Sequence, residues 1–585
     1  MPSLFLRLVC GLAVLGLCSS CTSSVPDASG QDSGGRLSTE QAAIDITYYA
    51  LDIEVKPYSQ SIAGRLTATA AVRRPLRHFV LNLDRRLRVT SAVQRNAGTR
   101  TPLPVERKAK GDDPENEVWM ELPSMAAPGD TLVVEVEYRG SPRVAPQPPW
   151  DGGFTWAKTP EGDPWIATSC QTIGADVWWP VKDHPSDEPD SMSIDVTLPR
   201  PLVAASNGRL RSVDSTATHR TYRWFVSTPI NPYGVALHAA PYVNVDTTYT
   251  STAGTDLPVT FYALPSDEST ARESLPHFLD HVRFLEETLG PYPFRADKYG
   301  IAQTPFKGME HQSIIAYGND FNLEGGLYYD AGFDALHFHE LAHEWYGNLV
   351  TVRDWKDFWI HEGIATYLEA LYREDLQGMD GYWRTIAHWQ SRLQNRRPVA
   401  RSEPTSAQAM YGTDVYYKGA MILHTLRHHV GNDAVREILR TFAFPTEEAR
   451  AATDGSQCRT VNTADFVQVA EKVSGMQLDG FFSVYLYRAQ LPVLTVERSR
   501  DALSLQWTNT GGAPFEVAVP VRIDGRLQRV EMTDGSARLN VPAAASVEID
   551  PRGWVLKDVQ SSGTSGASDS SDASTSRRSS ASSGS

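Results

Sequence analysis

The chain has 585 residues, with 70 acidic against 55 basic side chains and a net charge of −15. That balance removes any electrostatic case for nucleic-acid binding, which needs a basic face. Only Cys170 and Cys458 of the five cysteines lie in the body of the chain, which excludes a disulfide framework and a thiolate metal site.

Leu8 to Leu17 is an apolar run behind Arg7, shorter than the roughly 20 residues of a spanning helix. With Ser19, Ser20 and Cys21 behind it, residues 1–21 read as a secretory signal. The ending Leu17-Cys18-Ser19-Ser20-Cys21 resembles a bacterial lipoprotein cleavage site, with Cys21 as the lipidated residue. The expectation is an exported protein, periplasmic or at the outer membrane, whose only membrane contact is this N-terminal lipid anchor. Residues 22–43, rich in Ser, Gly and Asp, read as a flexible tether.

Residues 44–247 read as an all-β domain. Tyr48 to Lys56, Leu66 to Val72, Thr131 to Tyr138 and Ser193 to Leu198 alternate between Pro, Gly and Asn clusters. Over 248–490 the pattern turns helical. Leu275 to Leu289 places Phe278, Val282, Leu285 and Leu289 on one side and stops at Gly290-Pro291. Residues 491–559 are strand-like again, with Gly511-Gly512 and Asp524-Gly525 as turn signals, and predict a small β-sandwich. Residues 560–585 are nearly all Ser, Gly, Ala, Thr and Asp, and cannot bury a core. The fold class is multidomain α+β: an N-terminal all-β domain, a mainly α catalytic domain and a small C-terminal β-sandwich.

Within the helical part, His339-Glu340-Leu341-Ala342-His343 carries the chemistry. Histidines four apart on a helix stand one turn above the other on one side, so both can hold one zinc ion, and the glutamate between them can serve as general base. Phe333 to Leu349 lacks proline and reads as that helix. Two ordinary histidines on a solvated helix would give the same letters. Glu362, separated from His343 by eighteen residues, supplies what they lack: a third ligand on a second helix that starts at Trp359. Its buried stripe is Ile360, Ile364, Leu368 and Leu371, and Glu362 lies on another face with Thr366 and Glu369. Three protein ligands leave a fourth position for water. His337, His361, His428 and His429 lack a matching spacing and read as packing or surface residues.

Several separated segments then resemble the gluzincin aminopeptidases, the family of aminopeptidase N and leukotriene hydrolase. His339 to Asn348 resembles the first zinc segment and Trp359 to Tyr367 the second. Gly308-Met309-Glu310-His311 resembles the exopeptidase signature Gly-Ala-Met-Glu-Asn, with Lys307 and His311 in place of its outer Gly and Asn. Tyr416-Tyr417-Lys418-Gly419 resembles the Tyr-x-Lys-Gly segment of the catalytic tyrosine. Cys170 to Ile173 and Trp179 to Ser186 resemble segments of the N-terminal domain. The resemblance covers roughly residues 44 to 490.

The resemblance implies a thermolysin-like catalytic domain and a zinc-dependent aminopeptidase with one zinc per chain. It makes His339, His343 and Glu362 the metal ligands, Glu340 the base and Tyr416 the donor to the oxyanion. It places Glu310 and Gln171, with Gly308 and Met309, around a substrate that has a free amino terminus. Taken without it, Tyr416 is a core residue of an amphipathic helix from Val415 to Leu426. Three other readings stand beside it: a zinc oligopeptidase or endopeptidase, a hydrolase of a non-peptide substrate, and a lipid-anchored binding protein without activity.

Overall fold

The computed structural model describes residues 32–96, 98–110, 113–325 and 330–562. The signal segment with Cys21, the first part of the expected tether and residues 563–585 of the tail lie outside them. Among the described residues, no helix is long and apolar enough to cross a membrane.

The all-β region is built on an eight-stranded sheet. Its strand Ile44–Lys56 pairs antiparallel with Ser61–Val72 and parallel with Ser191–Pro199. Alternation buries Ile44 and Ile46, then Tyr49, Leu51, Ile53 and Val55. The change from even to odd numbers falls at a bulge between Ile46 and Tyr48, where one extra residue lets both halves keep facing the core.

The region closes with Leu237–Ala240. The next strand, Val243–Thr250, pairs with Asp256–Ala263 in a separate five-stranded sheet. The expected boundary at 247 falls within the strand Val243–Thr250. Alternation reveals a strand but not the sheet that strand joins.

Residues 32–43 are not the free tether that composition predicts. The Ser33 amide donates to Thr172 O (3.2 Å) and its carbonyl accepts from the Ala407 amide (3.0 Å). Trp355 Nε1 donates to Ser33 Oγ at 3.2 Å. Gly34, at φ +79°, lies so close to the Trp355 ring that a Cβ would come within 2.3 Å of it. A polar segment that cannot build a core can still be clamped by one built elsewhere.

The catalytic region opens with the five-stranded sheet and the helix Glu268–Leu289. Three helices then carry the site: Ala335–Ala342, Trp359–Gln390 and Thr413–Val430. The first is shorter than the predicted Phe333–Leu349. The Asp334 carboxylate accepts from the His337 amide at 3.1 Å and starts it, and His343 is its C-cap. The chain then turns into a short strand, Val350–Val352, paired with Arg459–Val461. The second helix starts at Trp359, as its pattern predicts.

The second and third helices meet through Gly363 and Gly419. A Cβ on Gly363 would lie 2.9 Å from the Gly419 Cα, so the backbones touch without side chains between them. Glu362 immediately precedes one glycine, and Tyr416 lies one turn before the other. Residues 493–562 form two small sheets, of four and three strands, behind the third helix. His428 marks that seam: its ring Nε2 lies 3.0 Å from Ala518 O.

Candidate active site

Three ligand atoms converge between the first two helices. His339 Nε2 and His343 Nε2 are 3.1 Å apart, and Glu362 Oε2 lies 3.3 Å from the first and 3.5 Å from the second. A tetrahedral zinc with bonds of about 2.0–2.1 Å needs ligand atoms about 3.3–3.4 Å apart, so the triangle has the size such an ion requires. His343 Nδ1 sits 2.9 Å from Tyr346 O and His339 Nδ1 sits 3.0 Å from Glu369 Oε1. Each ring therefore donates from Nδ1 and turns the Nε2 lone pair to the shared point.

The electrostatics ask for a cation there. Burial opposes charge on His339, yet Glu362 and Glu369 hold its imidazole well above the ordinary histidine range. Burial likewise opposes charge on Glu362, and the two histidines hold its carboxyl well below the ordinary carboxylate range. Geometry, donor set and charge all fit zinc on His339, His343 and Glu362.

Glu340, between the histidines, faces the same space. Burial first, and then the nearby Glu310 and Glu362 charges, push its carboxyl up to about 8 against the pull of both histidines. A carboxylate oxygen each from Glu310 and Glu340 and a His343 ring nitrogen lie within 4.8 Å of one another. Gln171, from the all-β region, donates through Nε2 to Glu310 and to Glu362 Oε1, the latter at 2.9 Å. One amide thus ties two domains and two carboxylates together. Gly308 lies directly against Glu340, where a Cβ would come within 2.2 Å of Oε1. Tyr416 stands with its ring 6.0 Å from that of His339, its hydroxyl 3.5 Å from that of Tyr411.

These residues, together with Met309, line one cleft of about 330 Å³. Lys307, Trp150, Tyr411 and Tyr417 are also in its walls. Glu362, Thr366 and Glu369 share the face of the second helix turned to the cleft and are all buried; facing a cleft costs a residue far less of its burial than facing open solvent.

His311 is not in the cleft wall. It turns toward the all-β region, its ring 5.1 Å from that of His238, both fully buried. His337 and His361 are also packing residues. His337 stacks on Phe278 at 3.8 Å and His361 Nε2 accepts from the Val352 amide at 3.0 Å.

Four contributors escape a reading of motifs alone. Glu369 is two turns beyond Glu362, so helical spacing alone would have found it. Tyr346 acts through its carbonyl, which no residue type signals. Asn348 Nδ2 donates to Glu310 O at 3.0 Å and to Glu344 Oε2 at 3.2 Å. Glu344, pushed up to about 7 by burial, also accepts from Tyr292 OH (2.9 Å) and the Ser313 amide (2.8 Å). This pair locks the end of the histidine helix to Glu310, which follows the short strand Gly308–Met309.

Residues 46–233 match the Peptidase M1 N-terminal domain and residues 280–485 match the Peptidase family M1 domain, together more than half of the chain. The chain belongs to peptidase family M1. Among curated M1 relatives, glutamyl aminopeptidase of Sus scrofa is 25% identical over 374 residues, 57% of this chain and 36% of that protein. Aminopeptidase N of Streptomyces lividans is 27% identical over 310 residues, 48% and 33% of the two chains. The chain thus spans about a third of the length of these relatives. A variant of the M1 zinc metallopeptidase from Deinococcus radiodurans, solved with a Tyr-Ser-Ala substrate, shares the fold. Its TM-score is 0.62 at 24% identity, over 79% of this chain and 98% of that one. The M1 matches leave out residues 491–559, the small β module.

Proposed function

We propose that the protein is a zinc aminopeptidase that hydrolyses the first peptide bond of peptides with a free amino terminus. The observation that carries this reading is Glu310, whose carboxylate stands within 4.8 Å of Glu340 and His343. A protonated terminal amine paired with Glu310 has its own carbonyl two bonds away, at the ligand triangle. No residue can precede it, which is the difference between an aminopeptidase and an endopeptidase on the same metal site. The names of the curated relatives, aminopeptidases all, agree.

Zinc bound by His339, His343 and Glu362 would acidify a water and polarise the scissile carbonyl. The rest is the work of the chain. Glu340 takes the water proton and delivers it to the leaving amine, a task suited to a carboxyl raised toward neutrality. Tyr416 donates a hydrogen bond to the oxyanion that develops on the substrate, an interaction strongest in the transition state. Gln171 fixes the Glu310 carboxylate and so the position of the amine.

Glu340→Gln should retain zinc and lose at least about a thousandfold in kcat toward aminoacyl chromogenic amides; base and acid roles fall together. The wild type should cleave Leu-Ala-Ala and leave its N-acetylated form intact. Equal cleavage of the two would sink the aminopeptidase reading.

Export and a lipid anchor at Cys21 are part of the proposal. Their support is the apolar run Leu8 to Leu17 followed by Ser19, Ser20 and Cys21. Labelling with a radioactive fatty acid should mark the wild type and not Cys21→Ala; label in both would remove the anchor.

A further inference from the structure

Glu310 follows the short strand Gly308–Met309, and Gly308 lies against Glu340. Lys307 is the next residue along the backbone on the far side of Gly308 from Glu310. It lines the cleft and is partly exposed. Among the described residues it is the only lysine or arginine in the cleft wall, and its ammonium has neither hydrogen bond nor ion pair. Of the four acids of the cleft, Glu310 and Glu362 are held by Gln171, Glu362 and Glu369 face His339, and Glu340 lies beside Gly308. The described cleft wall thus carries four carboxyl groups and a single ammonium.

The geometry points to Lys307 as a subsite for a carboxylate on the leaving side of the scissile bond. The inference rests on the aminopeptidase reading and deepens it, since it names the preferred substrate class: peptides with an anionic leaving residue. That carboxylate has two sources, the side chain of an aspartate or glutamate in second position, or the chain terminus of a dipeptide. A long, flexible lysine reaches either. Aromatic Trp150 and Tyr417 line the same cleft.

The test uses the full-length zinc enzyme and two pairs of substrates. Leu-Asp-Ala-amide against Leu-Asn-Ala-amide reads the side-chain source. Leu-Ala against Leu-Ala-amide reads the terminal source. The wild type should favour the anionic member of at least one pair by about tenfold in kcat/KM, the size expected of a hydrogen bond to a charged group. Lys307→Met should bring that ratio to about one, Lys307→Arg should keep most of it, and Lys307→Glu should invert it. Each ratio is taken within one enzyme, so a general loss of activity or folding cancels. No anionic preference in the wild type, or the same ratio in Lys307→Met, overturns the inference. Failure of the wild type to cleave leucine p-nitroanilide at all would instead remove the aminopeptidase reading beneath it.

Discussion

Gly363→Ala tests how the fold sets the site. The added Cβ would meet the Gly419 Cα at 2.9 Å, its carbonyl carbon at 3.1 Å and Val415 O at 3.2 Å. Carbon atoms rest at about 3.5–4.0 Å, so the two helices must open by about 1 Å. Overpacking of that kind costs about 1–3 kcal/mol, and alanine returns about 1 kcal/mol of helix propensity. The net loss of stability should be small, about 0–2 kcal/mol. Activity should suffer more. Glu362 and Tyr416 ride on the two separating helices, and a misplacement of about 1 Å in a reacting constellation can cost about a hundredfold. We expect kcat on leucine p-nitroanilide to fall by about 10–100-fold, with zinc content near one per chain by mass spectrometry and a urea transition within about 2 kcal/mol of wild type. Wild-type kcat in a folded, zinc-loaded variant would show that this close approach does not set the distance between Glu362 and Tyr416.

Glu369→Gln keeps the shape of the partner of His339 but removes its charge; zinc affinity in chelator competition should drop by about 10–100-fold, and an unchanged value would remove Glu369 as an orienting group. Gln171→Ala frees the Glu310 carboxylate from its donor, so KM for leucine p-nitroanilide should rise at least about fivefold, more than kcat falls; an effect on kcat alone would contradict amine positioning. His238 is buried neutral, its pKa pushed down to about 3. The unfolded chain protonates it near 6.5, so its contribution to stability is whole above pH 6.5 and drains away as pH falls toward 3. His238→Leu should therefore flatten the decline of unfolding free energy between pH 6 and 4 by one proton, about 1.4 kcal/mol per pH unit. An unchanged slope would mean that His238 takes up a proton in the folded state.

The parts of this site legible in the sequence are those whose chemistry depends on residue type at fixed spacing. His339, His343 and Glu362 fall into that class because helix geometry alone aligns the first two. The length to a second amphipathic segment supplies the third. Gln171 and Glu310 became readable only through resemblance, since 139 residues separate them and no local rule brings a loop of one domain to a strand of another. Tyr346 and Asn348 were out of reach for a different reason: one works through a carbonyl and the other bonds a backbone oxygen, so side-chain chemistry does not announce them. The clamped segment around Ser33 fails the compositional reading in the same way. Its order comes from Trp355 and Thr172, residues a local window never sees.

The small β module acts on the site from behind. Lys418, in the segment that carries Tyr416, is buried and pushed down to about 8 by desolvation, and it donates to the carbonyls of Arg488 (2.8 Å) and Ala489 (2.9 Å), in the stretch that leads into the module. About two and three turns further on, Thr425 accepts from the Leu556 amide at 3.0 Å and His428 meets Ala518 O. These contacts fix the rotation of the helix about its axis, and with it the direction of the Tyr416 hydroxyl, because a helix face moves by about 100° per residue. Yet none of the described residues lining the cleft lies beyond Tyr417, so the module braces the helix without roofing the site. The described residues of the cleft wall all come from the two M1 domains, Glu310, Gln171 and Lys307 among them. A cleft built this way takes no wall from residues 493–562, which reach it through the helix that carries Tyr416.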